Sequence, residues 1–175
     1  MPLDYPRAVT VDEAISIRLA QDEDAQVISD WTQEPAVSRF WGGRTISVSE
    51  VLAKYTGRRA PHVVSYVITE VGRPVGYRQA WQLNGRFGLD MFISAPAQGR
   101  GIGTKSARGI ATELTALGWS PLTVDPAVAN VRALRLWRSS GFVPTGESGT
   151  DGGKRTQIMR FSQAKNRMDP EPGHR

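Results

Sequence analysis

The chain has 175 residues, a formal net charge of +5, no cysteine and only two histidines, His62 and His174. That length suits one domain with a core large enough to be stable alone. The lack of cysteine excludes disulfides, thiolate metal sites and a cysteine nucleophile, and two isolated histidines give poor support to a histidine triad or a zinc site.

The Lys and Arg residues are dispersed, with no aromatic-interleaved basic stripe, so nucleic acid is not the expected partner and a polyanionic small molecule suits the charge better. The opening "MPLDYPRAVTVDEA" has no apolar h-region, and nowhere do about 18 apolar residues run together, so no membrane span is expected and a soluble cytoplasmic protein is the default. Residues 1–14 read as an N-terminal extension.

"AISIRLA" alternates apolar and polar residues, as a first strand does. "DEDAQVISDWTQEP" carries acidic residues at a helix start and ends at Pro35. "SVSEVLAKYTGRR" predicts a second helix, opened by a Ser47–Glu50 capping box and closed at Gly57. Three strands follow: "VVSYVITE", "PVGYRQAWQL" and, after the Asn84-Gly85 hairpin turn, "FGLDMFIS". "TKSARGIATELTAL" predicts a helix ending at Gly118, "PLTVD" a short strand, and "NVRALRLWRSS" a helix stopped by Gly141. "GFVPTG" and "KRTQIMRF" give two last strands around the turn "SGTDGG". The order predicts a mixed α/β fold over residues 15–163, a mostly antiparallel sheet with flanking helices. A doubly wound dinucleotide fold is disfavoured by the hairpin. The tail over residues 164–175, "AKNRMDPEPGHR", is polar with two prolines and is expected to be disordered.

The third strand of the meander runs straight into "APAQGRGIGTK", Ala95 to Lys105, and then into a helix. Unpaired N–H groups at a helix start, with the positive end of its dipole, make an anion site. Glycine removes the Cβ that would hold a phosphate away, and Arg100 and Lys105 add positive charge. A bare strand-to-helix turn is the alternative. The string lacks the Gly-Lys-Ser/Thr ending of a Walker loop and the spacing of the Rossmann loop.

The spacing Gln98-x-x-Gly101-x-Gly103 resembles the acyl-CoA pyrophosphate loop of the GNAT N-acetyltransferase superfamily. "NVRALRLWRSSGF" is similar to a second segment of that superfamily, with Asn130, Ala133, Gly141 and Phe142 in place. "RFWGG", "VGY", "GLD", "VDP" and "GTDGG" fall in the order seen in the aminoglycoside 6'-N-acetyltransferases, with siderophore-pathway acyltransferases sharing part of the pattern. The resemblance implies a GNAT acyl-CoA N-acyltransferase fold and direct acetyl transfer from acetyl-CoA, without a metal, to a small-molecule amine. A monomer or homodimer is expected. It places the cofactor against Met91, Phe92, Ile93, Gln98, Gly99, Arg100, Gly101, Ile102, Gly103, Thr104, Asn130, Ala133 and Trp137, with backbone N–H groups near Met91 to Ile93 polarising the thioester.

An amine attacks only as the free base, so a carboxylate must position the ammonium and accept its proton. Asp90 is the expected general base and Asp125 a catalytic or amine-binding partner. Asp125 also reads as a turn residue before Pro126. Trp41 could wall the amine pocket, while Trp31, Phe40 and Trp41 could equally belong to the core. Valine at Gly101 or Gly103 is expected to displace the pyrophosphate while the fold survives. Two features depart from the resemblance. The segment between Trp81 and Leu89 is short and lacks acidic residues, and Trp137 stands where a tyrosine is often assigned as acid to the leaving thiolate. The first keeps a hydroxylysine-like or other small amine open as acceptor. The second keeps a catalytically silent acyl-CoA binding module open.

Overall fold

The computed structural model describes residues 1–163; the expected disordered tail and His174 lie outside them. In chain order the elements are β1 (Ala8–Thr10), β2 (Ile15–Leu19), α1 (Ala25–Trp31), α2 (Pro35–Ser38), α3 (Val48–Lys54), β3 (Val63–Glu70), β4 (Arg73–Leu83), β5 (Arg86–Ile93), α4 (Ile102–Ala116), β6 (Leu122–Val124), α5 (Val131–Ser139), β7 (Phe142–Asp151) and β8 (Lys154–Phe161). They form one eight-stranded sheet in the order β1-β2-β3-β4-β5-β6-β8-β7. Every pairing is antiparallel except that of β5 with β6. The predicted mixed fold with flanking helices is therefore the observed one.

Local chemistry explains most element boundaries. Asn84 and Gly85 both take positive φ, 51° and 73°, which closes the two-residue turn between Leu83 and Arg86. Ser47 caps α3 by accepting from the Glu50 N–H. The Glu50 carboxylate does not complete the box; it pairs with Arg44 and Lys54 instead. The helix stops at Lys54, short of Gly57, because side chains take its last carbonyls. Thr56 and Arg58 donate to the Leu52 oxygen, and Arg59 donates to that of Lys54.

The first 14 residues are not an appendage. Val9 pairs with Ile17 in β1–β2. Leu3 exchanges hydrogen bonds with the Gln82 amide, and the Asp4 carbonyl accepts from Trp119 Nε1. Three residues between Pro6 and the acidic turn of "PRAVTVDEA" are too short for a periodic pattern, which is why β1 escapes a sequence reading.

Alternation along the strands separates two apolar layers. Leu89, Met91 and Ile93 of β5 face the core beneath α4 and α5, with Ile110, Leu114 and Trp119. Phe92 faces the other layer, packed with Ile28, Trp31 and Val51 under α1 and α3. Neighbours in sequence on β5 thus serve opposite sides of the sheet.

Candidate active site

The parallel pairing of β5 with β6 involves only Phe87 with Leu122 and Gly88 with Thr123. Beyond Gly88, β5 continues to Ile93 while β6 ends at Val124. Alternate backbone N–H and C=O groups of β5 therefore face an open edge rather than a partner. A cleft of about 880 Å³ occupies this opening and is lined from both sides of the sheet.

On one side lies the glycine loop. Gly101 is the N-cap of α4 in left-handed conformation, φ 80°, and a Cβ there would meet no atom within 4 Å. The first intrahelical bond runs from the Lys105 N–H to the Gly101 carbonyl at 3.1 Å, which leaves the N–H groups of Ile102, Gly103 and Thr104 at the free end of a 15-residue helix. Gln98 fixes the loop: its Nε2 donates to the Ile93 carbonyl at 2.9 Å and its Oε1 accepts from Arg132 at 2.7 Å. Asn130 caps α5 by accepting from the Ala133 N–H at 3.1 Å, so its side chain is committed to the helix. The side chains of Ile102, Phe92 and Ile93 are buried in the apolar layers at the cleft's margin.

The loop cations behave differently from expectation. Arg100 is drawn to Glu70 and Lys105 to Asp12, and neither lines the cleft. Five cations line the cleft: Arg39, Arg44 and Lys154, and, from α5, Arg132 and Arg135, which lie in the string "NVRALRLWRSSGF", where helical periodicity gives both a place on the exposed face.

The family described as an acetyltransferase (GNAT) domain matches residues 20–149. The chain belongs to that family. The aminoglycoside N(6')-acetyltransferases type 1 of Klebsiella pneumoniae and of Serratia marcescens are each 24% identical to it over 181 residues, covering 91% of this chain and 89% of theirs. Among solved structures, AAC(6')-Ib in complex with paromomycin and acetyl-CoA superposes with a TM-score of 0.77 at 22% identity, covering 86% of this chain and 94% of that one. RimL, the ribosomal L7/L12 alpha-N-protein acetyltransferase, superposes with a TM-score of 0.72 at 13% identity, covering 87% and 92%. At these identities the structural likeness establishes the fold.

Across the sheet from the loop, the GNAT acetyltransferase gathers three carboxylates. Asp90 is on β5, Asp125 follows β6, and Asp151 ends β7; all three line the cleft. Burial raises the Asp90 pKa against the opposing effect of its Gln79 hydrogen bond, and Asp151 raises it further. Asp125 is accessible from the cleft, yet the enclosing walls, followed by the Asp90 and Asp151 charges, push its pKa up to about 6. The concave surroundings, not closure from solvent, cause that rise. The segment after Asp125 is tied to β8 through Gln157 to Pro126 and Val128 to Arg155, which holds the carboxyl in place.

Trp41 belongs both to the lining of the cleft and to the apolar layer beneath α1 and α3. It lines the cleft and packs edge-on against Tyr77 and Phe92, at ring separations of 5.9 and 5.0 Å. Trp137 also lines the cleft but is only 5% exposed, stacked edge-on against Phe142 at 5.0 Å. Asp151, Gln79, Arg132 and Arg135 were not singled out from the sequence. Asp151 lies inside "GTDGG", where a turn reading hides it. Among the described residues no cluster of His, Cys, Asp or Glu could hold a metal ion, and no helix is long and apolar enough to cross a membrane.

Proposed function

We propose that this acetyltransferase transfers the acetyl group of acetyl-CoA to a primary amine of a small cationic acceptor, with the 6'-amine of an aminoglycoside as the acceptor. The observation that carries the reading is the convergence of Asp90, Asp125 and Asp151 on the cleft opposite the helix start. Such a set attracts ammonium groups, and the raised pKa values of Asp90 and Asp125 bring proton acceptance closer to neutral pH. The 24% identity with aminoglycoside N(6')-acetyltransferases over nearly the whole chain supports the acceptor class.

The loop suits a pyrophosphate, since Gly101 leaves open space over the free N–H groups of Ile102 to Thr104. Bound there, acetyl-CoA supplies an activated acetyl thioester. The chain's residues do the rest. Asp125 and Asp151 hold the acceptor by its ammonium groups. Asp90, whose Oδ2 is engaged by Gln79, keeps Oδ1 to take the proton from the attacking nitrogen. N–H groups on the open edge of β5, around Met91 to Ile93, stabilise negative charge developing on the acetyl oxygen. Trp137 packs at the thiol end; its indole can donate a hydrogen bond but not a proton.

The test is CoA release from acetyl-CoA with kanamycin-type compounds carrying a 6'-amine and with 6'-hydroxyl analogues. Turnover of the former alone supports the reading; equal rates would show that another amine is modified. The two-residue turn at Asn84–Gly85 favours a second reading, because it leaves no acidic excursion beside the cleft to bind a polycation. In that reading the acceptor is a smaller amine such as a hydroxylysine-like compound. Tight CoA binding with no acceptor turned over would favour a silent binding module.

A further inference from the structure

Arg78 is the most unusual residue in the core. It lies on β4 with 0% exposure, on the face opposite Tyr77 and Gln79. Among the described residues no carboxylate pairs with it. Its Nη2 donates to Ser106 Oγ at 3.1 Å and approaches Met91 Sδ at 2.9 Å, while Nε and Nη1 have no partner. A buried, unpaired guanidinium costs stability, and an apolar side chain of similar length would pack there without that cost. Packing alone gives no reason for the charge.

The two contacts show where the charge acts. Ser106 Oγ passes its own hydrogen bond to the Gly103 carbonyl at 3.1 Å. That carbonyl shares its peptide unit with the Thr104 N–H, one of the free donors at the start of α4. Donation to a carbonyl polarises the whole peptide and strengthens its N–H as a donor. Met91 lines the cleft, and its Cε lies 3.4 Å from where a Cβ on Gly103 would sit. The guanidinium is therefore one side chain behind the helix start. The two surface cations of the loop are meanwhile neutralised by Glu70 and Asp12.

We propose that Arg78 is a buried counter-charge for the phosphates of the acyl-CoA, acting through Ser106 and the Gly103–Thr104 peptide and through the low-dielectric interior. It is a positioning residue that touches no ligand. The proposal rests on the reading of the glycine loop as the pyrophosphate site. It accounts for an Arg that destabilises the free protein: the ligand supplies the missing negative charge, and a field in the interior is screened less than one at the surface.

The test compares wild type with Arg78→Met and Ser106→Ala, titrated with CoA and with pantetheine, which has no phosphate, by calorimetry and ligand-detected NMR. Thermal unfolding without ligand is measured alongside. Arg78→Met is expected to bind CoA about ten-fold more weakly, to bind pantetheine as wild type does, and to unfold at a higher temperature. Ser106→Ala is expected to show a smaller loss of the same kind. Equal losses for CoA and pantetheine would overturn the proposal, reducing Arg78 to a prop for Met91. Unchanged CoA affinity in both variants would overturn it as well. If Arg78→Met does not fold, the CoA-to-pantetheine ratio of Ser106→Ala decides. A wild type that binds no CoA would instead refute the loop reading on which the proposal stands.

Discussion

Gln79 and Asp90 face each other across β4 and β5, and the Gln79 Nε2 donates to Asp90 Oδ2 at 2.9 Å. The amide cannot turn over without loss, because its Oε1 already accepts from Tyr77 Oη at 3.2 Å and from Arg59 Nη2 at 3.1 Å. Arg59 and Tyr77 thus orient Gln79, and Gln79 orients the carboxylate.

Asp90→Asn should lower acetyl transfer by about 10²–10⁴-fold, the usual weight of a general base, with CoA affinity unchanged. Gln79→Leu removes a bond that holds the Asp90 pKa down. The rise of kcat with pH should then move to higher pH, while CoA binding stays as in wild type. A pH–rate profile of Gln79→Leu that overlays wild type would show that the amide does not tune the base.

Asp125 gives a second pH signature. Its carboxyl, raised to about 6, must be ionised to hold an ammonium, so acceptor kcat/KM should climb through that pH and lose this limb in Asp125→Asn. Stability runs the opposite way. The folded form holds this proton more tightly than the unfolded chain does, so the group's contribution is fullest below the ordinary carboxylate range and is lost as pH rises through about 6. Asp125→Asn should therefore raise the unfolding temperature near neutral pH, with a gain that disappears below about pH 4. Thermal unfolding across that range reads both signs.

Two of the loop's three glycines, Gly101 and Gly103, should separate binding from folding. Gly101→Ala places a methyl in open space over the helix start and adds left-handed strain of about 1 kcal/mol. CoA affinity should fall strongly for a small loss of stability. Gly103→Val is different: its Cβ would lie 2.5 Å from Leu136 Cδ1, where α4 meets α5. The expectation that both substitutions spare the fold is thus revised, and Gly103→Val should destabilise by about 1–3 kcal/mol. Denaturant unfolding with parallel CoA titration checks the pair.

Trp137→Tyr should change kcat at most modestly, since a thiol of pKa about 8.5 is a tolerable leaving group without a dedicated acid. Its larger effect should be on stability, because the indole is 5% exposed and fills space against Phe142. An inactive wild type rescued by orders of magnitude in Trp137→Tyr would make the phenol essential and sink this reading.

The meander, the Asn84-Gly85 turn, the strand–glycine loop–helix order, Asp90 inside a strand and Asp125 at a strand's end are all legible in the sequence. Each of these follows from periodicity or turn chemistry within a few residues, so local pattern is sufficient. Which charges the site keeps depends on contacts between segments far apart in the chain. Arg100 is taken by Glu70 across 30 positions and Lys105 by Asp12 across 93. Asp151 lines the cleft from the end of the β7–β8 hairpin, and Arg78 of β4 meets Ser106 of α4 across 28 positions. Ion pairing and desolvation depend on distances set by sheet order. No local pattern encodes those distances, so the chemistry of the strands was legible while the electrostatics of the cleft was not.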